Sequence, residues 1–211
     1  MDAVFVYFQG SQNTQNAIFN LTNNQYSGYF EQFGSFTIQG AYTPRIIIEN
    51  NQFCATFDVH CNPKVCISYT DVPTTIVPFR LADNRFVNGS VQISGLSGDI
   101  LDNRFYMEQI QDYQLCLSGT HVSDQTINLS GNAFMGQGTS AVWLNPSTSN
   151  GPSHMSVSFL NNSFINVQTA LKVLSSNLID GPSAIPVFRN NLIVCAGNPI
   201  ETFLNGNPVV Y

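Results

Sequence analysis

The stretch DNRFVNGSVQISGLSGDILDNRF, from Asp83 to Phe105, writes Asp-Asn-Arg-Phe twice, and its asparagines Asn84 and Asn103 stand 19 residues apart. A tetrapeptide that mixes acid, amide, base and aromatic has little reason to recur in a chain of ordinary composition. A chain that winds past the same place once per turn does have a reason. Self-similarity at a fixed period is the mark of a repeat architecture.

Aligning the chain on Asn-x-aromatic extends the pattern. The anchor asparagines are Asn24, Asn51, Asn84, Asn103, Asn132, Asn162 and Asn191, with gaps of 27, 33, 19, 29, 30 and 29 residues. Two positions after the anchors stand Tyr26, Phe53, Phe86, Phe105, Phe134, Phe164 and Ile193. Three positions before them stand Leu21, Ile48, Leu81, Ile100, Leu129, Phe159 and Phe188. Five before come Phe19, Ile46, Phe79, Gly98, Ile127, Val157 and Pro186, apolar apart from the glycine. The column between, Asn20, Ile47, Arg80, Asp99, Asn128, Ser158 and Val187, is mostly polar. Apolar, polar, apolar at successive positions is the period of a strand with one buried face.

The residue before each anchor is Asn, Asp or Gly, all of which accept tight turns. Each unit is therefore a short strand, a corner holding Asn, and an aromatic that re-enters the core. The corner is expected to require a left-handed backbone, which Gly and Asn adopt at least cost. With units stacked about 4.8 Å apart, the amides form a ladder and the rings an internal column. Leu204, Gly206, Asn207 and Val209 fall in the same columns and read as a partial eighth unit. Between units the chain is rich in Gly, Pro, Ser and Asn, as in NPSTSNGPS and SSNLIDGPS, which read as loops. Insertions in a solenoid collect on one face, often the binding face. The segment VQTALKVLSS could pass for a helix but also supplies alternating apolar positions.

At this point the chain resembles the parallel β-helix family with the pectate-lyase-like fold, whose coils carry short strands and an Asn-rich two-residue turn. The resemblance covers about residues 19–209. The expected fold is all-β, a single-stranded right-handed parallel β-helix of about seven to eight coils. Residues 1–18 form an N-terminal cap or first coil and residues 19–211 the β-helix.

Composition narrows the function. The chain has 211 residues, a net charge of −6 and seven Lys and Arg. Charged residues are 9%, against a usual quarter. Phosphate binding needs clustered cations, so nucleic acid is not an expected partner. An anionic membrane surface is equally disfavoured, and no apolar run is long enough to span a bilayer. The start lacks the basic region and long apolar run of a signal peptide, so export implies a removed leader or another route. Five cysteines, Cys54, Cys61, Cys66, Cys116 and Cys195, leave at least one thiol without a partner within the chain. Their spacing, even with His60 beside them, fits no zinc-ligand pattern, so neither a metal nor another cofactor is expected.

Many β-helix proteins cut polysaccharides. The hydrolase branch of the resembling family is marked by Asn-Thr-Asp, Asp-Asp, Gly-His-Gly and Arg-Ile-Lys stretches, and none occurs here. Two lysines and five arginines leave few candidates for lyase chemistry. The catalytic candidates are Asp83 with Asp102, one rung apart, and Asp58 with His60 on a shared outer face. Paired carboxylates about 5–5.5 Å apart suit a retaining glycosidase. The alternative for the repeated acids, with Arg85 and Arg104, is a crossed ion-pair grid on a solvated corner. Ligand-binding candidates are Trp143, turned outward from SAVWLNPS, with Arg85 and Arg104. His121 and His154 lie in loop-like sequence without an assigned role. Sequons stand at Asn20, Asn88, Asn128 and Asn161.

An open β-helix end exposes strand edges and core. The expected role is a non-enzymatic structural or recognition module at a cell surface or in a virion. It would bind glycan or protein through its loop side. Alternatives are a polysaccharide-active enzyme, and an assembly subunit that docks through its C-terminal coil as a homo-oligomer or larger assembly.

Overall fold

The computed structural model describes residues 4–9, 18–28, 34–39, 45–55, 64–69, 77–108, 113–119, 125–137, 140–145, 147–148, 151–152, 155–175, 184–204 and 207–209. Among them the chain is all-β, a solenoid of parallel strands in three sheets. Sheet B stacks Ile18–Thr22, Arg45–Glu49, Val77–Ala82, Leu96–Leu101, Gln125–Ser130, Met155–Leu160 and Ala184–Arg189. Sheet C stacks Gln25–Gly28, Gln52–Ala55, Arg85–Val87, Arg104–Met107, Ala133–Gly136, Ser163–Val167 and Leu192–Cys195. Sheet A holds Val4–Gln9, Gly34–Gln39, Lys64–Tyr69, Ser90–Ser94, Leu115–Ser118, Ser140–Asn145, Thr169–Ser175 and Ile200–Leu204. Each strand pairs with the equivalent strand one coil away, so VQTALKVLSS contributes a strand of sheet A and no helix.

The anchor columns are the corner between sheets B and C. The corner divides its work between two residues. The residue before the anchor takes the left-handed backbone, with φ of 60° at Asn23, 54° at Asn50, 56° at Asp83, 54° at Asp102, 69° at Gly131, 55° at Asn161 and 54° at Asn190. The anchor asparagine does not take it; its amide forms the expected ladder. In each of the first six rungs the anchor's N–H and Nδ2 both donate to Oδ1 of the anchor above, at 2.9–3.0 Å. From Asn51 onward, the Nδ2 also donates to a backbone carbonyl of the rung below. Asn51, Asn84, Asn103, Asn132 and Asn162 are buried by this arrangement, and a buried amide is tolerated only when so satisfied.

Behind the amides the rings stack. Centroids lie 5.0 Å apart from Tyr26 to Phe53, then 5.1, 4.9, 4.7 and 5.1 Å along Phe86, Phe105, Phe134 and Phe164, with interplanar angles of 2–10°. Strand spacing sets that distance. The column joins Ile46, Ile48, Leu81, Ile100, Leu129 and Phe159 in one continuous core. Gly98 interrupts the apolar column because a Cβ there would meet the Phe79 carbonyl oxygen at 1.9 Å.

The 19-residue coil is short because its other corners are minimal. Asn88 and Gly89 link sheet C to sheet A, and Gly95 alone links sheet A to sheet B. Asn88 (φ 53°) and Gly95 (φ 72°) supply the left-handed turns.

The partial eighth unit is corrected. Asn207–Val209 folds back antiparallel on Ile200–Leu204, pairing Thr202 with Val209 and Leu204 with Asn207. Only 16 residues separate Asn191 from Asn207, fewer than the shortest full coil. Asn207–Val209 thus joins sheet A.

Candidate functional site

Asp83 and Asp102 stand on consecutive rungs of the B–C corner, both exposed, as are Arg85 and Arg104 beside them. Arg85 and Arg104 are direct register partners, so like charges face each other. Among the described residues no ion pair links these four side chains, so the crossed grid is absent. The left-handed backbone turns the acids out of the row that the arginines occupy, and Asp102 Oδ1 lies against Gly131 of the next rung. A nearby pair does form on sheet B, where Arg80 Nε donates to Glu49. That hydrogen bond holds the Arg80 guanidinium above its ordinary pKa, with smaller contributions from the charges of Glu49, Asp99 and Asp83. Asp58, His60, His121 and His154 lie outside the described residues.

Trp143 sits on the outer face of sheet A between buried Val142 and Leu144. Its row runs Gln92, Cys116, Trp143, Lys172 and Glu201 by register. The Lys172 ammonium lies 5.2 Å from the ring centroid, over its face. Tyr113 meets it edge-on at 5.3 Å. The ring is half-buried and its Nε1 is buried without a hydrogen-bond partner. One face and one edge are thus engaged within the molecule.

The sequons sort by environment. Asn20 and Asn161 are exposed. Asn88 is buried, exchanging two hydrogen bonds with Glu108. Asn128 Nδ2 donates to Asp99, and its Oδ1 accepts from Ser158. Among the described residues no group of three or more His, Cys, Asp and Glu is placed to hold a metal ion, and no helix is long and apolar enough to cross a membrane.

One concave feature among the described residues was not singled out from sequence. It is a groove of about 670 Å³ where the outer face of sheet C turns toward sheet A. Tyr106, Met135 and Ile165 line it from successive rungs in strict register. Glu108, Gln137 and Asn166 supply polar groups at its corner side. Asn166 is the bulged residue where the register shifts, with φ 57°. Tyr106 is 41% exposed, and the row continues to Val194, 50% exposed. The signal was present in the column three after the anchors from Asn51 onward: Cys54, Val87, Tyr106, Met135, Ile165 and Val194. These positions face outward yet are apolar.

Comparison with protein-family models, curated proteins and solved structures finds no match to this chain.

Proposed function

We propose that the chain is a non-enzymatic structural and recognition module at a cell surface or in a virion, and that it binds a protein partner through the groove on sheet C. The observation that carries this reading is the outward apolar row of Tyr106, Met135 and Ile165, rimmed by Glu108, Gln137 and Asn166. Contiguous apolar surface with a polar rim marks interaction sites, and Met adapts to varied partners. A glycan is the second reading, because exposed Tyr106 beside the neutral amides of Gln137 and Asn166 suits a sugar ring and its hydroxyls. Trp143 supports a glycan less well, since Lys172 and Tyr113 already engage it. Arg85 and Arg104 stand outside the groove lining.

A polysaccharide-active enzyme of the pectate-lyase-like fold is the remaining alternative, and only the shared architecture speaks for it. Its acids Asp83 and Asp102 occupy an exposed corner away from the groove. The test places a photo-crosslinking residue at Met135 or at Arg85 in the native host material. A polypeptide adduct from position 135 and none from position 85 is expected. Adducts at both positions or at neither overturn the reading, as does oligosaccharide binding that Met135→Lys abolishes.

A further inference from the structure

The repeated Asp-Asn-Arg-Phe leaves two arginines unanswered. Arg85 and Arg104 are direct partners on consecutive strands of sheet C, so their side chains leave the same face about 4.8 Å apart. Both are exposed, and among the described residues neither forms an ion pair. Acids stand on the same two rungs, at Asp83 and Asp102, but their left-handed backbones, with φ of 56° and 54°, turn them onto the corner. Arg80 on sheet B shows the contrast, because it bonds to Glu49 of the neighbouring rung. Two like charges held in register raise the energy of the free surface, and an anion between them reverses that cost.

The surroundings narrow the kind of anion. In the row of the arginines, exposed Gln25 and Gln52 stand on the rungs below, and Ala133, Ser163 and Leu192 follow above. The next two rungs above Arg104 thus carry only small side chains in this row. Beside it runs a second row, Asn23, Asn50, Asp83 and Asp102, all exposed, with Asn50 Nδ2 bonded to Asn23 Oδ1. Over four rungs, about 14 Å, a file that donates lies beside a file rich in acceptors. A polyanion, whether nucleic acid or an anionic membrane, would meet Asp83 and Asp102 and be repelled. A hydroxyl-rich chain with occasional anionic groups suits both files, because its hydroxyls donate to the carboxylates while its anion takes the guanidinium N–H groups.

We infer that Arg85 and Arg104 clasp a sulfate ester of a glycan laid along the corner between sheets B and C, with Gln25, Gln52, Asp83 and Asp102 bonded to its hydroxyls. One guanidinium fork satisfies both oxygens of a carboxylate and leaves the second arginine unmatched, whereas a sulfate ester presents three oxygens and takes N–H groups from both forks. A phosphate monoester has the same shape but carries nearly two charges at neutral pH, which the two neighbouring aspartates disfavour. The sulfate carries one. The groove of Tyr106, Met135 and Ile165 takes no part in this contact.

The probe is a keratan sulfate tetrasaccharide, titrated into the full chain and followed at the arginine Nε–H signals. Saturable binding is expected, with shifts at Arg85 and Arg104. Arg85→Gln and Arg104→Gln each weaken it about threefold, and the double variant abolishes it while keeping the thermal midpoint, since both side chains are exposed. The unsulfated lactosamine tetrasaccharide and a hyaluronan tetrasaccharide, which carries carboxylates, bind about tenfold more weakly, and Met135→Lys does not weaken the contact. Absence of saturable binding overturns the inference, as does indifference to both arginine substitutions. Equal affinity for inorganic sulfate means an adventitious ion only, equal affinity for hyaluronan a carboxylate site, and loss of binding in Met135→Lys a sugar in the groove; each overturns it. A polypeptide crosslinked at position 85 assigns the row to a protein and overturns it too.

Discussion

Asn103 holds more of the structure than any charged residue near it. Its Oδ1 receives the backbone N–H and Nδ2 of Asn84, and its own Nδ2 reaches Leu81 O and Asn132 Oδ1. Asn103→Leu keeps the volume but leaves the buried N–H of Asn84 without an acceptor, while the Asn84 Nδ2 keeps the carbonyls of Ile48 and Ala82. An orphaned buried donor costs about 1–3 kcal/mol, and urea unfolding is expected to show a loss of that size. Asp102, one residue earlier, is exposed and left-handed. Asp102→Asn is expected to change stability by less than about 0.5 kcal/mol, because Asn holds that conformation equally well. The contrast separates what sequence made legible at this scale from what it did not. Columns of Asn and of Asn, Asp or Gly mark the corner. Which of the two bends the backbone and which bonds along the axis depends on dihedrals that composition does not encode.

At the scale of the strand, Ala133–Gly136 shows how two faces divide the labour. Phe134 is fully buried in the ring column, while Met135 lies in the outer groove. Phe134→Ala is expected to cost about 3–5 kcal/mol through the cavity it leaves. Met135→Lys is expected to leave the thermal midpoint nearly unchanged while changing partner capture. Equal losses from both would mean that Met135 serves the core. Alternation made the inner face readable, because burial leaves a period of two in the sequence. The outer face carried a signal too, in Val87, Tyr106, Met135, Ile165 and Val194, but an apolar row outside the core competes with the expectation of polar surface. The groove was missed for that reason. The charged candidates drew attention because charge is rare in this chain, yet Arg85 and Arg104 face each other with no ion pair to an acid among the described residues.

Across the whole molecule, each rung touches only its neighbours, so stability is close to a sum of rung and interface contributions. The stacking of parallel strands into a solenoid was legible from the anchors, and the final turn was not. The Leu204, Asn207 and Val209 pattern fits the columns, but the spacing is too short to complete a coil, and the chain returns along sheet A. Loop lengths carried the deciding information there, as they do in the short coil closed by Asn88 and Gly95. Hydrogen exchange of the corner amides tests the central claim most directly. Turn amides facing water exchange quickly, whereas those bonded within a cooperative unit wait for it to open. The account predicts strong protection at the N–H groups of Asn51, Asn84, Asn103, Asn132 and Asn162, highest at the middle rungs. Exchange at open-turn rates in the middle five would contradict the ladder and the solenoid built on it.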